Sequence, residues 1–134
     1  MQIHKGEQRP LRTEEDVVYA RQAVRGWAVE MGFSLVDQTK LVTAASELAR
    51  NTVVYGGGGT LHMEQLEDGI RRGLRLVFDD QGPGIADIDR ALQDGYTSGG
   101  GLGLGLGGAR RLVNEFRIES QPGQGTRITV VKWK

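Results

Sequence analysis

Glu47 and Asn51 stand four residues apart in the run Ser46-Glu47-Leu48-Ala49-Arg50-Asn51, inside a helical pattern from about Leu35 to Tyr55. On a helix this spacing stacks the two side chains on one face. The carboxylate can accept a proton. The amide oxygen is a hard ligand of the kind Mg2+ takes. Ala44 and Lys40 continue the face backward, and the small Ala44 leaves room for something bulky to approach the helix. Leu41, Ala45, Leu48 and Thr52 form the inner stripe of the same helix, so Glu47 and Asn51 lie beside the core, at an edge where a cleft can open. A solvated helix face carries the same residue types, so the pair gains meaning only from the rest of the chain.

Asp80 is the second candidate. It stands where a strand gives way to Asp80-Gln81-Gly82-Pro83-Gly84-Ile85. A carboxylate there can accept a hydrogen bond from an exocyclic amine such as that of adenine. Gly82 and Gly84 carry no side chain, which lets backbone come close to a flat base or ribose. The same residues also make good turn chemistry after a strand.

The third candidate is Gly95 to Gly108, in which eight of fourteen residues are glycine. A flexible linker would sit oddly between structured segments of a one-domain chain. A dinucleotide fingerprint, Gly99-x-Gly101-x-x-Leu104, would need a strand directly before it, and Asp94 to Ser98 is not one. The Gly-Lys-Ser/Thr ending of a P-loop is missing. A lid that offers backbone N–H groups to phosphates and leads into a helix fits better, because Leu102, Leu104 and Leu106 give it something to pack with.

The elements that must position these groups can be read from periodicity. Residues 1 to 9 alternate loosely as an edge strand, ended by Pro10. Thr13 and Asp16 have the spacing of a capping box, before a helix with Val17, Ala20, Val24, Trp27 and Met31 inward and Gly32 as its stop. Ser34 and Asp37 repeat the cap for the helix that carries Glu47. Gly56 to Gly59 turn the chain into a strand over Thr60 to Glu67. A turn at Asp68-Gly69 leads to a strand from about Arg72 through Leu74, Leu76 and Phe78. A short helix is expected over Asp87 to Gln93 and another over Ala109 to Phe116. Two strands, about Arg117 to Ser120 and Thr126 to Trp133, close the chain. Helices and strands are grouped, which favours an α+β two-layer sandwich of helices on a mixed, mainly antiparallel sheet.

Length and composition narrow the class. The 134 residues suit a single domain. Seventeen basic and seventeen acidic side chains cancel, which disfavours nucleic-acid binding through bulk charge. Without cysteine there is no disulfide and no thiolate metal site. No apolar run is long enough for a bilayer, and Met1 to Arg9 lacks the apolar core of a signal peptide. A cytoplasmic protein with no membrane or nucleic-acid partner is expected.

Three elements thus occur in fixed order: Glu-x-x-x-Asn on a helix, Asp-x-Gly-x-Gly after a strand, and a glycine-rich lid before a helix, with Gly125-Thr126 opening the last strand. Across nearly the whole chain this order resembles the GHKL ATPase superfamily, with its Bergerat ATP-binding fold. Ser-Glu-Leu-Ala-Arg-Asn, Asp-Gln-Gly-Pro-Gly-Ile, the lid from Ser98 to Gly103, Arg110-Arg111-Leu112 and the Lys132-Trp133 ending are similar to the RsbT-type serine/threonine kinases of the bacterial stressosome.

The resemblance implies ATP and Mg2+ as ligands. It implies Asn51 on the metal, Glu47 as the catalytic base, and Asp80 on the adenine amine with Thr126 in support. Gly82 and Gly84 would shape the base pocket. Ser98, Gly99, Gly100, Gly101, Leu102, Gly103, Leu104 and Gly105 would close on the nucleotide. It implies STAS-domain substrates and contact activation of a PP2C-type phosphatase. An anti-sigma factor kinase of the same fold and a nucleotide-gated binding module are the alternatives. A histidine-kinase catalytic domain fits less well, since no phosphoacceptor or dimerisation helices are evident. No Lys or Arg lies between Gly95 and Gly108, so a cation for the terminal phosphate would have to be Arg50, Arg110 or Arg111.

Overall fold

Two side-chain caps set where the helical layer begins. The Thr13 hydroxyl accepts from the Asp16 N–H, and the Asp16 carboxylate reaches back to the Thr13 N–H, the reciprocal arrangement expected from the sequence. Ser34 likewise accepts from the Asp37 N–H at 3.1 Å. The computed structural model describes residues 1–93 and 105–134. Its elements run β1 (Gln2–Leu11), α1 (Glu14–Glu30), α2 (Leu35–Val54), β2 (Gly59–Asp68), β3 (Arg71–Asp80), α3 (Ile88–Ala91), α4 (Gly105–Arg111), β4 (Glu115–Ser120) and β5 (Thr126–Trp133).

The strands form one five-stranded sheet in the order β1-β2-β3-β5-β4. Every pairing is antiparallel, so the expected mixed sheet is antiparallel throughout. The β2–β3 and β4–β5 hairpins account for two pairings. The β3–β5 pairing is long-range and joins the two hairpins.

Alternation along the central strands places the core. Leu61 and Met63 of β2, Leu74, Leu76 and Phe78 of β3, and Ile128 and Val130 of β5 point to one face and are buried there. α1 and α2 lie on that face and pack against each other through Val24, Trp27, Leu41, Ala45 and Leu48. Fully burying one such aliphatic side chain is worth about 1.5–3 kcal/mol. The two layers of the α+β sandwich are therefore this sheet and these helices.

Alternation also decides where β3 delivers its last residue. Asp80 has the parity of Phe78, so its side chain turns toward the helices and not toward solvent. The opposite face of the sheet carries cross-strand ion pairs instead, Arg75 with Glu64 at 2.7 Å and Arg127 with Asp79 at 2.9 Å.

Three expectations need correction. Pro10, expected to end the first strand, lies inside β1 and pairs with Thr60. The helix foreseen over Ala109 to Phe116 starts earlier, at Gly105, and ends earlier, at Arg111. Phe116 belongs to β4, because Asn114 is already captured by β5. Its N–H donates to the Val131 carbonyl at 3.0 Å, and its side-chain oxygen accepts from the Trp133 N–H at 2.7 Å. Ala44, expected to leave room for a ligand, is fully buried in the core, so the space it leaves is filled by protein.

Candidate functional site

A cleft of about 470 Å³ opens between the C-terminal half of α2, the end of β3 and the α3–α4 region. That is within the size range of small-molecule sites. Asp80 and Thr126 sit at its inner end. Phe78, Ile85, Ala91, Leu106 and Ile128 supply apolar walls, and Glu47, Arg50, Asn51 and Arg90 supply the polar side.

Asp80 is held by its own turn. The Gly82 N–H donates to Oδ1 at 2.9 Å. Burial pushes the Asp80 carboxyl above its ordinary value, opposed by backbone hydrogen bonds from Gly82 and Thr126, while the neighbouring Asp79 adds a small upward push. The carboxylate is therefore costly to keep here, as expected of a group retained for what it binds.

The glycines around Asp80 are required by the protein itself. A Cβ on Gly56 would overlap the Asp80 side chain, and one on Gly125 would overlap the Asp80 carbonyl. A Cβ on Gly82 would lie 2.6 Å from the Gly56 carbonyl oxygen. Gly84 has φ +76° and faces the Gln121 carbonyl. From the sequence, Gly82 and Gly84 are expected to admit a base. Gly84 does line the cleft, but both positions are fixed as glycine by backbone packed against backbone.

α2 brings Glu47 and Asn51 to the same cleft as Asp80, which is the juxtaposition the sequence pattern required. Glu47 Oε1 accepts from the Gly105 N–H at 3.0 Å, tying the start of α4 to α2. Thr126 Oγ1 lies 2.8 Å from Ser120 Oγ. Ser98, Gly99, Gly100, Gly101, Leu102, Gly103 and Leu104 lie outside the described residues; Gly105 lines the cleft. Of the three arginines weighed from sequence, Arg50 borders the cleft and Arg110 and Arg111 do not.

Sequence reasoning missed Arg90, which α3 brings to the rim, and Gly56, Ile85 and Ser120, which shape and tie the inner end. α3, at four residues, is shorter than the expected Asp87 to Gln93 helix and has no face pattern that would mark Arg90. The other three act through partners distant in sequence.

This donor set fits an adenine nucleotide. A recessed carboxylate stands ready for an exocyclic amine, apolar walls would flank a base, and an amide and two guanidinium groups on the same cleft would be available to phosphates. It fits Mg2+ only as a cation held mainly by phosphate oxygens and water, with Asn51 as a protein ligand. Among the described residues there is no cluster of three or more His, Cys, Asp or Glu that could cage a metal alone.

Comparison with known proteins agrees with the fold. The family described as histidine kinase-, DNA gyrase B- and HSP90-like ATPases matches residues 36–134, and the chain belongs to that family. ATP binding goes with that family. The chain is 48% identical over 123 residues to the serine/threonine-protein kinase RsbT of Bacillus subtilis (strain 168), covering 92% of each chain. By that likeness its enzyme class is protein serine/threonine kinase. It is also 30% identical over 118 residues to an anti-sigma F factor of Clostridium kluyveri, covering 85% of this chain and 83% of the other.

Among solved structures, the RsbU and RsbW domains from Mycobacterium tuberculosis superpose with a TM-score of 0.62 at 21% identity, over 98% of this chain and 33% of that longer one. The SiaB–SiaC complex from Pseudomonas aeruginosa gives 0.57 at 14% identity, over 98% and 91%. These two likenesses concern the fold. No helix among the described residues is long and apolar enough to cross a membrane.

Proposed function

We propose that this protein binds Mg-ATP with its base against Asp80 and transfers the γ-phosphoryl group to a serine or threonine hydroxyl of a partner protein. The observation that carries the proposal is the convergence of Glu47 and Asn51, from one face of α2, on the cleft whose inner end holds Asp80. Asp80 accepts from the adenine amine, and Thr126 supports that contact. Asn51 contributes its amide oxygen to Mg2+, which supplies charge neutralisation across the phosphates. Arg50 and Arg90 border the cleft where further charge develops. This compensates for the absence of Lys and Arg between Gly95 and Gly108.

Glu47 acts as the general base. Among the described residues Oε1 is engaged by Gly105, which leaves Oε2 to take the proton of the incoming hydroxyl. The hydroxyl oxygen then bonds to the γ-phosphorus as the bond to the β–γ bridging oxygen breaks, and ADP leaves. Positioning and charge neutralisation dominate such a transfer, so a single carboxylate and a ring of donors suffice.

The substrates are STAS-domain proteins of a bacterial stress-response switch, and the kinase released from them activates a PP2C-type phosphatase by contact. The similarity to RsbT supports this partner set. Incubation with labelled ATP and candidate STAS-domain proteins tests it: label should appear on a Ser or Thr of the partner and disappear with Glu47→Gln. An anti-sigma factor kinase is the second reading, favoured by the 30% identity to an anti-sigma F factor. Pull-down with a sigma subunit rather than a phosphatase would select it.

A further inference from the structure

Three inward-facing residues form a row across the end of the sheet. The registers pair Asp80 of β3 with Thr126 of β5, and Thr126 with Ser120 of β4. A carboxylate, a hydroxyl and a second hydroxyl thus lie side by side, and the first two line the cleft. Ser120 is not a cleft residue; it acts from behind.

The proton count at Ser120 is closed. Its Oγ accepts from the Ile85 N–H at 2.8 Å and lies 3.0 Å from the Gly125 carbonyl oxygen and 2.8 Å from Thr126 Oγ1. A serine hydroxyl has one proton to give and two lone pairs. A carbonyl oxygen can only accept, so the Ser120 proton belongs to Gly125. The Thr126 contact then requires the Thr126 proton to point at Ser120. Were Ser120 to donate to Thr126 instead, two oxygens would face each other at 3.0 Å with no proton between them.

We infer that Ser120 is a specificity-determining positioning residue: by consuming the Thr126 proton it leaves Thr126 an acceptor only, so that the base end of the cleft offers acceptors and selects a 6-amino purine over a 6-keto purine. Asp80 and Thr126 then make the same demand on the ligand. Standing side by side, the two oxygens face one exocyclic group: a 6-amino group has two protons, one for each, whereas a keto oxygen placed there meets lone pairs with no donor. The same hydroxyl fixes the Gly84-Ile85 turn that walls the cleft, through the Ile85 N–H. The inference rests on the nucleotide assignment above.

Dissociation constants of Mg-ATP and Mg-ITP, measured on the full chain, test it. Ser120→Ala frees the Thr126 proton to turn toward the ligand. The ITP/ATP ratio of dissociation constants should fall about three- to tenfold, the span of one neutral hydrogen bond. Ser120→Cys, which nearly keeps the side-chain size but accepts the Thr126 proton poorly, should move the ratio the same way and serves if the alanine variant does not fold. Ser120→Thr, which keeps the hydroxyl, should retain the wild-type ratio. In a Thr126→Val background Ser120→Ala should leave the ratio unaltered.

Equal weakening of both nucleotides, with the ratio unchanged, would reduce Ser120 to a support for the Ile85 turn and overturn the inference. That outcome is distinct from failure of the nucleotide assignment. The assignment fails if the wild-type chain binds no ATP, or if Asp80→Asn binds it as well as wild type.

Discussion

The two ends of the cleft are built in different ways. The base end is made of backbone: Gly56, Gly82, Gly84 and Gly125 are pressed against neighbouring main chain or against Asp80, and Gly82 and Ile85 spend N–H groups on Asp80 and Ser120. The transfer end is made of side chains, Glu47, Arg50 and Asn51 from α2 with Arg90 from α3, and among the described residues the hydrogen bond from the Gly105 N–H ties Glu47 in place. The glycines of the base end cannot be altered without disturbing the fold, whereas its side chains, Asp80, Thr126 and Ser120, can be exchanged. The transfer end can lose its chemistry with the fold intact. On the proposed function, recognition is built into the turns of the sheet, and reactivity is mounted on α2.

The contrast can be broken or sharpened by substitution. Mg-ATP at a hundredfold excess over its Kd should stabilise the wild-type chain by about 2.7 kcal/mol. Asp80→Asn should abolish that shift, because the substituted amide presents its N–H2 or a weaker acceptor to the amine. A retained shift in thermal unfolding would move the base elsewhere. Gly84→Ala should lower stability without nucleotide by about 1–3 kcal/mol, since the added methyl meets the Gln121 carbonyl at a positive φ. Denaturant unfolding reads this directly, and an unchanged midpoint would deny the base end its rigidity.

Asn51→Ala should leave metal-free nucleotide binding nearly unchanged and cut the Mg2+-dependent gain in affinity by about tenfold, as losses at metal sites run. Calorimetry with and without Mg2+ separates the two.

The smallest effect concerns charge. Because burial raises the Asp80 pKa, the folded chain binds this proton more readily than the unfolded chain does, and ionisation of Asp80 costs stability. The cost is absent below the unfolded value of 3.8, develops as pH rises through the folded value, and is complete above it. Asp80→Asn should therefore raise the nucleotide-free Tm at neutral pH, with the gain shrinking as pH falls toward 3.8. A gain that grows toward acid would reverse the sign.

Much of this arrangement is local and was legible in the sequence. The caps at Thr13 and Ser34 announce both long helices, and the alternation from Leu74 to Phe78 announces β3. Glu47, Asn51, Asp80 and Thr126 all reach one cleft because helix spacing and strand parity dictate it. What escaped is non-local. The spacing of Leu112, Val113 and Phe116 suits a helix, but pairing with β5 draws Phe116 into a strand. The helix from Gly105 was hidden by its glycines, of which Gly107 is required by the Leu92 carbonyl. Gly84 answers to Gln121, and Ser120 to Ile85 and Thr126, partners that no single-sequence window contains.

The central claim is that binding and transfer separate along the cleft, and Glu47→Gln tests it most directly. Glutamine keeps the shape and the oxygen that accepts from Gly105 but is no base. In one preparation, the Mg-ATP thermal shift and phosphoryl transfer to a partner protein should be measured together. The shift should stay at the wild-type value while transfer falls at least about a hundredfold, the usual worth of a general base. Transfer persisting at the wild-type rate, or loss of the shift along with transfer, would contradict the account.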